Sequence, residues 1–387
     1  MPWTESDDAA SAEHASDNDR TGGDQTFVSF ADKRHGETMF LSIGLPSRFA
    51  EWCDSVICAL VQRALGAFDL VSGSTFEEIA LATMRSHAPR LVIGARQPTE
   101  PLRSVLAETG RRFVVVLDEP RAALQNLVTR YGLAVKAAVR ATAGSCAAMM
   151  SYETMPGALV LRADREGRDL VAAASAIAKW FGLEVPAAEL PLLLPGHPDM
   201  TAIQAERELA AWWASLSARD RTTVDGALSG YAEYFKDARI GPIFWARDLF
   251  FVGDDPTSAA DRVVDLEGPS RYLFFGPYIP LPRGFWQATV SLAVSKGAAN
   301  ITFAIEVTAG SQFACLARTT VRPQREGVCE ATLQFDVAAL TDQPIELRVA
   351  NLEPAFGGRL AFGEVRLLML VKTSAEIPHE LSQALGL

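Results

Sequence analysis

Met39-Phe-Leu-Ser-Ile-Gly-Leu-Pro-Ser-Arg-Phe-Ala-Glu51 reads as a buried strand that passes through a glycine turn into a helix. Apolar residues dominate 39–44, and within 50–65 Trp52, Val56, Ala59 and Leu60 recur at helical spacing. The same alternation continues outward from this unit. Strands are predicted at 70–72, 90–94, 112–117 and 158–161, and helices near 75–84, 99–109, 120–144 and 170–181. Strands separated by helices of this length build βαβ units, and hence a parallel sheet. Gly182 stops the last of these helices, because glycine takes the left-handed cap conformation without a steric penalty. Helix returns over 201–235, with Trp212, Trp213, Val224, Leu228 and Tyr231 as core contacts.

Near Gly241 the texture changes. A polar stretch over 253–267 reads as linker, and beyond it lie short β-rich segments at 271–275, 285–295, 300–307, 312–320, 328–335, 345–351 and 360–371. Several alternate apolar and polar, as in Ile301, Phe303, Ile305 and Val307, which describes an antiparallel β-sandwich. The expected order is a leader at 1–36, an α/β domain at 37–250, a linker at 251–266, an all-β sandwich at 267–373 and a tail at 374–387.

Charge and composition restrict the function. The 387 residues carry a net charge of −11, which excludes a generic nucleic-acid binder. Residues 1–26 hold seven carboxylates against Arg20 alone and almost no large apolar side chain, so this leader is expected to be disordered. The rest has an ordinary charge balance. Five scattered cysteines and five dispersed histidines form neither a CxxC pair nor a metal-ligand spacing. With no secretory signal and no apolar run of membrane length, a cytoplasmic protein with reduced thiols is expected.

The first strand-to-helix turn is where an open parallel sheet receives its ligand, and a phosphate there needs glycines, backbone N–H groups and a cation. Gly44-Leu45-Pro46-Ser47-Arg48 supplies one glycine and one cation. At this point the chain resembles the sulfotransferase superfamily, over about residues 40–240. Residues 40–47 (FLSIGLPS) look like its phosphosulfate loop, 114–126 (VVVLDEPRAALQN) like the strand and helix that bind the 3′-phosphate, and 159–183 like a later strand and helix ending in Trp180-Phe181-Gly182-Leu183. The resemblance implies a P-loop α/β fold. It also implies a site for 3′-phosphoadenosine 5′-phosphosulfate, held, if retained, by Gly44, Pro46, Ser47, Arg48 and Arg121.

Residue by residue the loop departs from that pattern. Phe49 replaces a glycine, Ala50 and Glu51 replace a pair of hydroxyls, and Asp118 stands where the family places an arginine. Exchanging a cation for an anion beside a phosphate reverses an interaction of about 4 kcal/mol at 4 Å and an effective dielectric near 20. No cofactor is therefore expected, and the α/β domain is read as catalytically degenerate with no assigned catalytic residue. Ser47 and Arg48 would act on the donor if the chain is instead an active sulfotransferase.

In the β-rich half, residues 272–290 (YLFFGPYIPLPRGFWQATV) resemble the opening of jelly-roll modules attached to bacterial glycan-synthesis proteins. Tyr272, Tyr278 and Trp286, with Arg283 beside them, are the carbohydrate-binding candidates, since aromatic faces pack against sugar rings. A core role for Trp286 stands as the alternative. The expectation is an accessory or regulatory protein of surface or extracellular polysaccharide synthesis. Its partners would be a glycan or proteins of that synthesis; a scaffold docking on a synthase is a third reading.

Overall fold

The computed structural model describes residues 39–73, 76–96, 98–194, 202–253, 255–260, 262–338 and 344–370; the expected leader and tail lie outside them. Strands and helices alternate through the first half: β1 (Met39–Gly44), α1 (Arg48–Leu65), β2 (Asp69–Gly73), α2 (Phe76–Arg85), β3 (Leu91–Ala95), α3 (Glu100–Thr109), β4 (Phe113–Leu117), α4 (Pro120–Thr129), α5 (Val135–Tyr152), β5 (Ala158–Arg162) and α6 (Leu170–Phe181). The five strands form one parallel sheet in the order β2-β3-β1-β4-β5. Every residue of β3 and β4 is buried, as a sheet covered on both faces requires. Because the chain turns to opposite sides from β1 and β4, their carboxyl ends flank the crevice where such sheets bind ligands.

After α7 (Leu190–Leu193) the expected helix over 201–235 is two helices, α8 (Ala202–Ser215) and α9 (Ala218–Asp237). Ser217 separates them: its hydroxyl accepts the Asp220 N–H and starts a new helix. Gly182 caps α6 in the left-handed region, at φ 68°, as expected.

The second half is antiparallel: β6 (Ile243–Ala246), β7 (Phe251–Val252), β8 (Asp255–Ala259), β9 (Val264–Asp265), β10 (Tyr272–Ile279), β11 (Gly284–Val294), β12 (Phe303–Ala309), β13 (Ala314–Val321), β14 (Gly327–Val337), β15 (Ile345–Asn351) and β16 (Arg359–Leu370). One sheet runs β13-β12-β15-β10-β7-β8 and the other β14-β11-β16-β6, with β9 beside β16. The fold is thus an α/β unit with a parallel sheet followed by a two-sheet β unit.

The boundary between them differs from the sequence reading. β6 falls in the stretch assigned to the α/β domain, yet it pairs with β16, Ile243 opposite Leu367. The expected linker at 251–266 holds β7, β8 and β9, each hydrogen-bonded into a sheet of the second unit. These are short pieces, with β8 and β9 at sheet edges, and edges favour the proline and charged residues that read as linker.

No break in packing separates the halves. α9 lies on β6 through glycines: a Cβ at Gly226 would sit 2.9 Å from the Phe244 carbonyl oxygen, and one at Gly230 would sit 2.7 Å from that of Gly241. One hydrophobic cluster runs from Leu41 and Phe113, through Val224 and Tyr231, to Trp245, Phe274 and Leu367. A second cluster covers the other face of the parallel sheet, with Phe40, Trp52 and Ile177.

Candidate functional site

At the crevice, Gly44 ends β1 with a backbone outside the left-handed region. It has to be glycine because a Cβ there would lie 2.9 Å from Ala50 Cβ and 3.0 Å from Val116 Cβ, so the residue brings strand and helix together. Ser47 is the N-cap of α1. Its hydroxyl oxygen accepts the Ala50 N–H at 3.3 Å, while its own N–H bonds to Leu45 O at 2.7 Å. The Pro46 carbonyl accepts Asn126 Nδ2 at 3.1 Å. Phe49 is buried and stacks on Trp52, with centroids 5.6 Å apart. The N–H groups of Ser47 and Ala50 are thus committed to the protein, and the Phe49 ring is packed into the core.

Four cations at the crevice are committed to carboxylates. Arg48 pairs with Glu208 at 2.6 Å. Arg121 pairs with Asp225 at 2.5 Å and lies over the Trp213 ring, 4.5 Å from its centroid. Arg130 pairs with Glu51, which also accepts Tyr131 Oη at 2.9 Å and Asn126 Nδ2 at 3.2 Å. Arg96, which sequence reasoning did not single out, follows β3 and pairs with Asp54, itself bonded to Ser42 of β1. Glycine at 94 leaves room for this pair, since a Cβ would meet Asp54 Oδ2 at 2.6 Å. The signal was a glycine inside an apolar strand, which marks a close approach.

Carboxylates also lie at the crevice. Burial pushes the Asp118 carboxyl above its ordinary range, against the hydrogen bonds from Ser47 and the Glu119 N–H, and Asp164 adds to the rise. Glu119, although 41% of its side chain reaches solvent, is crowded by protein and pushed up to about 7, first by that burial. Asp54 is likewise raised, by burial against the opposing effect of Arg96. Asn126 Oδ1 is a buried acceptor without a hydrogen-bond partner among the described residues, and an acceptor repels a phosphate oxygen. These residues do not fit a phosphate or phosphosulfate group. Among the described residues no group of histidine, cysteine and carboxylate side chains could hold a metal, and all five cysteines are free thiols.

In the β unit the four sequence candidates separate. Trp286 is buried between the sheets, its Nε1 donating to Pro282 O at 2.9 Å, and so takes its alternative role in the core rather than that of a sugar platform. Its period-two neighbours Ala288, Val290, Leu292 and Val294 are buried on the same face, a pattern already present in the sequence. Arg283 Nε donates to Ala338 O at 3.0 Å. Tyr272 and Tyr278 both lie on β10 of the other sheet, the first exposed and the second half-buried, and each meets a charged residue of β15. Tyr278 Oη donates to Glu346 at 3.1 Å, and its phenol is pushed up to about 12, first by burial and then by Glu346. Tyr272 lies 5.3 Å from the guanidinium of Arg348, which pairs with Glu346 at 2.7 Å. Neither Glu346 nor Arg348 was evident in the sequence, because β15 looks like any half-buried strand.

No family model matches the chain, and no curated protein matches it. Among solved structures it is similar to a mouse sulfotransferase complexed with PAP, at 12% identity and a TM-score of 0.40, over 56% of this chain and 90% of that one. It is also similar to a cyclase from Fischerella, at 16% identity and a TM-score of 0.20, over 27% of this chain and 56% of the cyclase. An arabinose-bound α-L-arabinofuranosidase is similar at 12% identity and a TM-score of 0.21, over 26% of this chain and 18% of that one.

Proposed function

We propose that this chain is a catalytically degenerate, sulfotransferase-like protein with a glycan-binding β unit. In this reading it acts in the cytoplasm as an accessory or regulatory component of surface or extracellular polysaccharide synthesis. One observation carries the loss of catalysis. Four guanidinium groups around the crevice, Arg48, Arg96, Arg121 and Arg130, are each paired with a carboxylate of the chain itself. Releasing one of them to a phosphate would leave its carboxylate unpaired beside the same anion, a cost that rises as the site loses water. Asp118 on Ser47 acts in the same direction. The β unit is the part left open to ligand, through Tyr272 and Tyr278. Among the described residues no helix is long and apolar enough to cross a membrane.

Isothermal titration of the full chain with 3′-phosphoadenosine 5′-phosphate tests the proposal. No heat of binding is expected up to about millimolar nucleotide, where a functional cofactor site saturates. Micromolar binding, or transfer of sulfonate to a glycan that Arg48→Ala abolishes, would establish the active-enzyme reading in its place.

A further inference from the structure

The outer face of the β13-β12-β15-β10 sheet carries more chemistry than a solvated sheet face needs. Its outward positions are in register: Phe275 of β10 opposite Arg348 of β15, Arg348 opposite Glu306 of β12, and Glu306 opposite Arg318 of β13. Beside this row lies Glu346, whose carboxylate is only 3% exposed although it points away from the sandwich core. It is held by Arg348 at 2.7 Å, Tyr278 Oη at 3.1 Å and the Thr308 hydroxyl at 3.5 Å. The Arg348 guanidinium is flanked by two rings, 4.0 Å from the Phe313 centroid and 5.3 Å from that of Tyr272. Both rings are about half exposed, 48% and 46%.

Backbone conformation singles out the same place. Four non-glycine residues among those described have a left-handed φ, and two of them are Tyr278 at 63° and Phe313 at 51°. Such strain persists where surrounding structure enforces it, and it concentrates at ligand sites. Here it aims aromatic side chains at one patch.

We infer that this face is a binding subsite for an uncharged sugar chain, with Tyr272 and Phe313 as stacking surfaces and Arg348 and Glu306 as partners for the sugar hydroxyls. The inference rests on the glycan reading of the β unit and names the site and ligand class within it. Ring faces take the C–H faces of a pyranose. The guanidinium groups supply donors and Glu306 supplies an acceptor, which together suit vicinal hydroxyls. Glu306 and Glu346 balance Arg348 and Arg318, so the patch has no net charge to attract an ionised sugar. A uronate would meet the Glu306 carboxylate, which is already paired to Arg318 at 3.3 Å.

The experiment titrates the full chain with neutral gluco-, manno- and galacto-oligosaccharides and with an oligogalacturonate of equal length, at fixed ionic strength. At least one neutral series is expected to bind, with the oligogalacturonate at least about tenfold weaker. Tyr272→Ala and Phe313→Ala should each weaken neutral binding by about tenfold, the scale of one lost stacking contact. Both side chains are exposed, so far-UV circular dichroism should be unchanged. Neutral binding that survives both substitutions overturns this site and leaves the glycan reading standing. Preference for the galacturonate overturns the ligand class alone. An absence of binding to every sugar overturns the site and the glycan reading together.

Discussion

At the residue scale, Gly44 separates what a motif shows from what it does. The sequence places Gly44-Leu45-Pro46 at a strand-to-helix turn, and the structure has that turn at Gly44 to Arg48. Its role depends on partners distant in sequence: Arg48 meets Glu208, 160 positions away, and Glu51 meets Asn126, 75 positions away. Such pairings leave no local signal. Ser47 and Asp118 are far apart in sequence, yet the Ser47 side chain is among the groups that act on the Asp118 carboxyl. If Gly44 serves helix packing, Gly44→Ala should push on Ala50 and Val116 and cost about 1–3 kcal/mol, the usual price of overpacking. Urea denaturation reads this as a lower midpoint. A midpoint equal to that of the parent chain would mean that the turn has slack to accept a methyl group.

At the element scale, legibility follows burial. β1 and β4 are covered on both faces and read as apolar runs, broken only by Ser42 and Gly44 in β1, whereas β7, β8 and β9 span two to five residues. No hydrophobic period can emerge from two residues. The expected linker was therefore part of the sheets. Arg140 on α5 shows how the elements interlock across that boundary. Its Nε donates to Pro277 O at 2.9 Å and an Nη donates to Leu249 O at 2.8 Å, with the guanidinium 4.9 Å from the Phe251 centroid. Burial lowers its pKa from the ordinary arginine value, yet the paired carbonyls hold it in place. Arg140→Ala would remove two hydrogen bonds from a charged donor and should destabilise the chain by about 2–4 kcal/mol. Arg140→Lys keeps the charge but cannot span both carbonyls, and should recover only part of the loss. Thermal melts of the three proteins would contradict this link if the alanine variant melted with the parent.

At the scale of the whole molecule, chain length and core disagree. A chain of 387 residues exceeds the roughly 250–300 at which single cores stop growing, which favours two units, and two architectures are present. Yet the cluster that fills the β unit continues under α9 and into the parallel sheet, and glycines seat α9 on β6 at backbone distance. Separating the halves would uncover Ile243 and Trp245 on one side and Val224, Leu228 and Tyr231 on the other, all buried. Each such side chain contributes about 1.5–3 kcal/mol by burial, so neither half should persist once the other opens. Urea unfolding of the full chain should therefore be one transition, with tryptophan fluorescence, which reports Trp52 in the first half and Trp245 and Trp286 in the second, superposing on far-UV circular dichroism. A fragment starting at residue 267 lacks β6 to β9, leaves the flanks of β10 and β16 unpaired, and should aggregate instead of folding. Two resolved transitions, or a soluble 267–387 fragment with cooperative melting, would place the boundary back at the linker and divide the core in two.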